Sequence, residues 1–286
     1  MSTNDTKNTK SFCASEYGVL ERVILCEPKH MTIRDVINET QKHFKNEGIH
    51  IKKAMEQHKQ FVETLQEHGV DVILLPTQDK YHEQVFTRDI GFTLGQTIFV
   101  AEMASDVRKG EEDVLKEWLE QEEISYYNLI GDHIEGGDVI IDRNTIYIGL
   151  SNRTNQQSID HMQSLISDFE VIGVPFKEKY LHLDCVFNIL SPDLALFFPE
   201  AFTEKEKSIL DSRYELIEVS NEEQFTLGTN VLSIGNKKII SLPVNKGVNA
   251  QLRSRGFEVI EVDITEIIKS GGSFRCCTLP LLRESN

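Results

Sequence analysis

The chain is short of positive charge. Thirty Lys and Arg stand against 46 Asp and Glu, a formal charge of −16 over 286 residues. Nucleic-acid binding needs a basic footprint, and so does adsorption to anionic lipid, so neither partner is expected. Long apolar runs are also missing. No window approaches ~18 consecutive apolar residues, the length of a membrane span. The opening Met1-Ser2-Thr3-Asn4-Asp5 lacks an apolar signal core. Cysteine is sparse: Cys13, Cys26, Cys185, Cys276 and Cys277 form an odd set with no CxxC pair and no zinc-type spacing. That set fits a reduced cytoplasmic compartment, with no metal site and no cofactor expected. The acidic balance suits solubility, and it also suits a small cationic substrate.

What is present is a repeat. Five short segments rich in Val, Ile, Leu and aromatics end at Pro, Gly, Ser or Asp: 70–76, 125–131, 169–175, 214–220 and 257–263. Three of them read aromatic-Glu-x-Ile/Leu, as in Phe169-Glu170-Val171-Ile172. Each follows a stretch with helical spacing of apolar residues. Residues 50–68 carry Ile51, Met55, His58, Phe61, Val62 and Leu65, and further helices fit 111–122, 155–167, 203–211 and 245–255. Before the helices lie hairpin candidates, such as 89–100 across Gly95-Gln96, 138–148 across Arg143-Asn144 and 230–242 across Gly235-Asn236.

The unit is therefore hairpin, helix, strand, about 45 residues long, with four copies between 86 and 263. A fifth is assembled from both ends. Residues 277–282 are expected beside 17–25, with the helix at 50–68 completing the unit. A shared unit favours a closed ring, because closure removes exposed strand edges. The expectation is one α/β domain over 15–286 with five-fold pseudo-symmetry, a five-bladed α/β propeller, preceded by a disordered tail over 1–14. The sequence leaves open a homodimer.

Reactive residues recur at one phase of the repeat. Asp89, Glu135 and His182 follow one another at steps of 46 and 47 residues, and Cys276 lies 94 residues further on, twice 47. In a closed ring, equivalent positions lie around one axis, so these four are expected in one pocket. Taken singly, each has a plain explanation: a small core cysteine, a satisfied histidine, a turn carboxylate, a surface ion pair. Together, a thiol, an imidazole and carboxylates are the set for nucleophilic attack at an sp² carbon. A thiol near its usual pKa of ~8.5 needs a neighbouring imidazolium or bound cation to favour the thiolate. The imidazole then shuttles a proton between leaving amine and water. One carboxylate supports it, and others can grip a planar cation. His133, two residues before Glu135, is the other histidine considered for the pocket.

The ordered motifs Phe86-Thr87-Arg88-Asp89, Glu135-Gly136-Gly137-Asp138-Val139, Gly149-Leu150-Ser151-Asn152-Arg153-Thr154-Asn155, His182-Leu183-Asp184 and Gly271-Gly272-x-x-x-Cys276 resemble the guanidino-group-modifying enzymes. These include dimethylarginine dimethylaminohydrolase, arginine deiminase and the amidinotransferases. The resemblance spans nearly the whole chain and implies an α/β propeller, the pentein fold. It implies that Cys276 is the nucleophile, His182 the general acid/base and Glu135 its supporting carboxylate. Asp89 and Asp184 would clamp the guanidinium, and Arg153 and Arg108 would hold the substrate α-carboxylate. No metal or organic cofactor is implied. Length and the 149–155 stretch resemble dimethylarginine dimethylaminohydrolase most. The animal enzymes of that kind lack an aspartate two residues after the histidine, where this chain has Asp184, so arginine and other guanidines stay open as substrates. Deiminase-like, amidinotransferase and non-catalytic binding roles are the alternatives.

Overall fold

The computed structural model describes residues 11–151 and 154–284. Arg153, assigned above to the substrate carboxylate, lies outside the described residues. Among them, five three-stranded sheets share one construction. The first joins the two ends of the described chain: β1 (Leu20–Cys26) runs antiparallel to β15 (Leu279–Arg283) and parallel to β2 (Asp71–Leu75). The others follow in order: β3 (Gly91–Leu94), β4 (Thr97–Val100) and β5 (Tyr126–Asn128); β6 (Val139–Asp142), β7 (Thr145–Leu150) and β8 (Glu170–Pro175). Then come β9 (Phe187–Ser191), β10 (Leu194–Phe197) and β11 (Glu215–Glu218), and finally β12 (Leu232–Gly235), β13 (Lys238–Ser241) and β14 (Glu258–Glu261). In each sheet the first two strands are antiparallel and the third returns parallel to the second.

A parallel return needs a crossover, and a helix supplies it each time. These are α2 (Ile51–Glu67), α3 (Glu111–Gln121), α4 (Gln156–Leu165), α5 (Glu204–Asp211) and α7 (Lys246–Ser254). The hairpin–helix–strand unit and its fifth copy shared by both ends are thus present. Among the described residues, three short α-helices lie outside the pattern: α1 (Glu39–Phe44), α6 (Asn221–Phe225) and α8 (Thr265–Ile268). No helix among the described residues is long and apolar enough to cross a membrane.

Burial is graded across each unit. The first strands β3, β6 and β12 are buried at every position, whereas the third strands β2, β11 and β14 keep exposed residues. A strand buried on both faces reads as continuous apolar sequence, as Val139-Ile140-Ile141 does. The helices pack their apolar stripe inward; Ala54, Phe61 and Leu65 of α2 are fully buried. Phe61 and Leu65 each contribute ~1.5–3 kcal/mol by leaving water.

The expected tail is too long at its inner end. Residues 11–14 are packed: Phe12 N–H donates to Leu281 O at 2.7 Å, Cys13 exchanges backbone bonds with Gly95, and Ala14 O accepts from Arg143 N–H. The polar composition of the first dozen residues hid this, because the segment is held by backbone bonds rather than by an apolar stripe.

Candidate active site

Each reactive residue sits just ahead of the first strand of its unit. Asp89 precedes β3, Glu135 precedes β6, His182 precedes β9 and Cys276 precedes β15. Glu135 and His182 hold extended backbone and each opens a single 3-10 turn, over Gly136–Asp138 and Leu183–Cys185. The turns are tied together by Asp138, whose Oδ1 accepts the Leu183 N–H at 2.9 Å.

His182 lies between two carboxylates. Its Nε2 is 2.6 Å from Glu135 Oε2 and its Nδ1 is 3.4 Å from Asp89 Oδ1. Glu135 is itself anchored, its Oε1 accepting the Ala104 N–H at 3.0 Å. Burial opposes charge on the ring and is the largest single influence. Asp89, the Glu135 hydrogen bond and Asp138 outweigh it and raise the His182 pKa to about 10. Gly137 makes this packing possible: a Cβ there would stand 2.7 Å from both the His182 ring and Asp89 Oδ1.

Cys276 is buried beside Asp184, with Sγ 3.5 Å from Asp184 Oδ2. Its N–H donates to Asn230 Oδ1 at 3.1 Å and its carbonyl accepts the Arg88 N–H at 3.0 Å. The hydrogen bond with the Cys185 thiol, then burial, then Asp184 push the Cys276 thiol well above its usual range. Cys276, His182, Asp89, Arg108, Phe86 and Glu83 line one small cavity of about 10 Å³, and Cys277 does not line it.

Two expected substrate-binding residues, Arg108 and Asp184, meet protein partners, and His133 stands outside the cavity lining. Arg108 borders the cavity, but its guanidinium is engaged by the protein. Nη1 reaches Asp89 Oδ2 at 2.5 Å, Nη2 and Nε reach Glu111 Oε2 at 2.8 and 3.0 Å, and the Phe86 carbonyl accepts at 3.3 Å. A buried guanidinium must satisfy its whole fork, so Arg108 braces Asp89 instead of presenting itself to a substrate carboxylate. Asp184 is not among the residues bordering the cavity. It stands behind Cys276, its Oδ2 taken by Arg275 Nη1 at 2.8 Å, while Arg275 also pairs with Glu16. His133 is half-exposed, 3.9 Å from Glu102, and lies away from the cavity lining.

Sequence reading missed two residues. Glu83 is buried at the cavity with both oxygens 2.9 Å from Ser270 Oγ and one accepting from Gln41 Nε2; burial pushes its pKa up to about 8. Asn230 bridges the units, accepting from Cys276 N–H and donating to Asp184 O. It was findable, because 230 fills the empty place between 182 and 276 in the repeat. Among the described residues, no three His, Cys, Asp or Glu side chains are grouped to hold a metal ion.

A family model described as N,N dimethylarginine dimethylhydrolase, eukaryotic, matches residues 27–283. YkgA of Bacillus subtilis, an uncharacterized protein, is 53% identical over 96% of this chain and 96% of its own length. The N(G),N(G)-dimethylarginine dimethylaminohydrolase of Mycobacterium tuberculosis is 26% identical over 82% of this chain and 77% of its own. Among solved structures, the product-bound N-terminal domain of ArgZ, a cyanobacterial arginine dihydrolase, matches with a TM-score of 0.84 at 28% identity, covering 92% of this chain and 97% of that domain. A fold built from five like units, a thiol–imidazole–carboxylate cavity at their starts and a family match across nearly all of the chain agree: the chain belongs to the N,N dimethylarginine dimethylhydrolase family, within the guanidino-group-modifying pentein superfamily.

Proposed function

We propose that the chain is a cysteine-dependent hydrolase of a small guanidino substrate, with Cys276 as nucleophile, His182 as acid/base and Asp89 gripping the guanidinium. The observation that carries this is the single cavity bordered by Cys276, His182 and Asp89, with Glu135 on the far nitrogen of His182. Two of the relatives named above, the Mycobacterium tuberculosis enzyme and ArgZ, are named for dimethylarginine and arginine, which supports the same substrate class here.

The charges set the order of steps. The resting thiol is neutral and His182 is charged. Entry of a guanidinium beside Cys276 favours loss of the thiol proton to solvent, so the site's net charge is unchanged. The thiolate adds to the guanidinium carbon, and the imidazolium gives its proton to the departing amine. A thiouronium on Cys276 remains. Neutral His182 then takes a proton from water as that water attacks; collapse expels Cys276, and the hydroxyl proton of the adduct passes to its sulfur, which leaves a neutral ureido product and restores the thiol. Glu135, 2.6 Å from Nε2, holds the ring in place through both halves.

The same reading closes the five units into a propeller. Support comes from contacts between neighbouring units, β15 against β3, β6 against β9 and β12 against β1. It also places the protein in the cytoplasm, where its five free cysteines stay reduced.

The test is mass spectrometry of the intact protein with arginine, methylarginines and agmatine. A mass adduct on Cys276 and a ureido product are expected. Cys276→Ala is expected to abolish turnover and Cys277→Ala to keep most of it; equal loss from both sinks the assignment. Transfer of the amidine to an added amine, in place of hydrolysis, would make the protein an amidinotransferase.

A further inference from the structure

The proposed chemistry leaves one reactive group without a role. Cys185 is a free thiol, buried one residue after Asp184. It stands across a thin wall from the nucleophile. Cys276 borders the catalytic cavity, whereas Cys185 borders a separate groove of about 500 Å³ between α1 and α6. Leu181 and Gly271 border both spaces. The groove has room for small solutes, while the catalytic cavity, at about 10 Å³, is no larger than one water needs. Cys277 borders neither.

Asp184 lies between the two thiols. The Cys185 thiol donates to its Oδ1 at 3.6 Å and the Cys276 thiol to its Oδ2 at 3.5 Å, so both sulfurs converge on one carboxylate. The hydrogen bond between the thiols themselves is the leading influence on Cys276. The backbones are held together as well. Asn230 accepts the Cys276 N–H on its Oδ1 at 3.1 Å, and its Nδ2 donates at 3.1 Å to Asp184 O, the carbonyl of the peptide that leads into Cys185. One side-chain amide thus spans the two cysteine backbones. The Cys185 carbonyl is fixed in turn by Gln224 Nε2 at 2.7 Å and by Thr229 Oγ1.

We infer that Cys185 is a redox partner of the nucleophile: a hydroperoxide entering by the groove converts the pair to a Cys185–Cys276 disulfide, which blocks the site reversibly. Cys185, on the groove side, reacts first. Its sulfur attacks one oxygen of hydrogen peroxide, the O–O bond breaks, and the thiol proton leaves with the other oxygen as water. The Cys276 sulfur then attacks the sulfenic sulfur of Cys185. The S–O bond breaks, and the Cys276 proton passes by way of Asp184 to the departing hydroxide as a second water. Two electrons have moved from the thiols to the peroxide. The sulfurs close to about 2 Å, so each leaves its Asp184 oxygen. Two molecules of a small thiol reverse the bond by exchange, and a disulfide of this kind is transient in a reducing compartment. The disulfide itself does not depend on the hydrolase reading; the loss of turnover does.

The experiment treats the full chain with hydrogen peroxide, blocks the remaining thiols with iodoacetamide and reads the peptides by mass spectrometry. A peptide pair joined through Cys185 and Cys276, two hydrogens lighter than its parts, is expected for the wild type and for Cys277→Ser. Arginine turnover, measured against each protein's own untreated activity, is expected to be lost in the wild type and restored by dithiothreitol. Cys185→Ser is expected to keep its turnover at the same peroxide dose. A Cys276–Cys277 bond, sulfinic Cys276 beside unmodified Cys185, no reaction at either thiol, or a Cys185→Ser protein as sensitive as the wild type overturns the inference. The wild-type peptides decide the matter whether or not Cys185→Ser folds. The joined pair in a wild type that turns over no guanidine keeps the disulfide and overturns the hydrolase.

Discussion

His182 owes its charge to where it sits. With a carboxylate on each nitrogen, its proton is expected to stay bound until the pH approaches about 10, and ring resonances followed by NMR should show no titration near 6.5. The sign for stability follows from the raised pKa. The contribution is complete below pH ~6.5 and disappears as pH rises through about 10. Arg108 supplies a second prediction. Replacing it by Ala strands Asp89 and Glu111, two buried carboxylates, and should cost ~3–5 kcal/mol in urea denaturation. Gly137→Ala forces a methyl onto His182 and Asp89, and should destroy turnover while costing only ~1–3 kcal/mol of stability. Retained activity in that variant would contradict the packing. The residue scale is also where the convergence of distant side chains can be compared with the sequence reading. Asp89, Glu135, His182 and Cys276 were legible because the repeat puts them in phase. The partners of Arg108 were not. Its chain position, 19 residues after Asp89, carries no sign that α3 would turn Glu111 back onto the same guanidinium. The contact of Asp184 with Arg275 was hidden for a related reason, since Arg275 approaches it from 91 residues away.

Whole elements were easier to read than single contacts. The five crossover helices and the outer strands carry period and turn signals that survive without tertiary information, and their predicted spans differ from the observed ones mainly at the ends. Helix α1 is different. Six residues are too few to display a periodicity, and the helix is held by contacts from elsewhere: Gln41 to Glu83 and Ser270, and Asn38 to Ser270 O. Asn38 also caps α1, its Oδ1 accepting the Gln41 N–H at 2.8 Å. Asn38→Ala is therefore expected to remove a cap worth ~1 kcal/mol. Amide exchange should speed up across 37–45 with little change in the crossover helices; uniform acceleration through the protein would show that α1 is not an independent local element.

At the scale of the molecule, buried charge ties the units together. Glu16, from the segment ahead of β1, pairs with Arg275 beside the nucleophile, and Arg275 pairs with Asp184. Burial alone would raise the Glu16 pKa, but Arg275 and Arg88 bring it down to about 2. A lowered carboxylate pKa stabilises the fold above its usual 4.5 and ceases to do so as pH falls toward 2. Glu16→Gln should thus flatten the acid limb of the stability curve, measured by denaturant midpoints between those values. The closure of the first unit has a further implication. Ile24 pairs with Leu279, so the strand that follows Cys276 cannot dock until a loop of more than 250 residues has been brought together. Such a step is slow relative to local hairpins. During refolding, far-ultraviolet signal should recover before Cys276 gains its carboxylate and imidazole neighbours, and a chain stalled at that stage would be largely structured yet chemically inert.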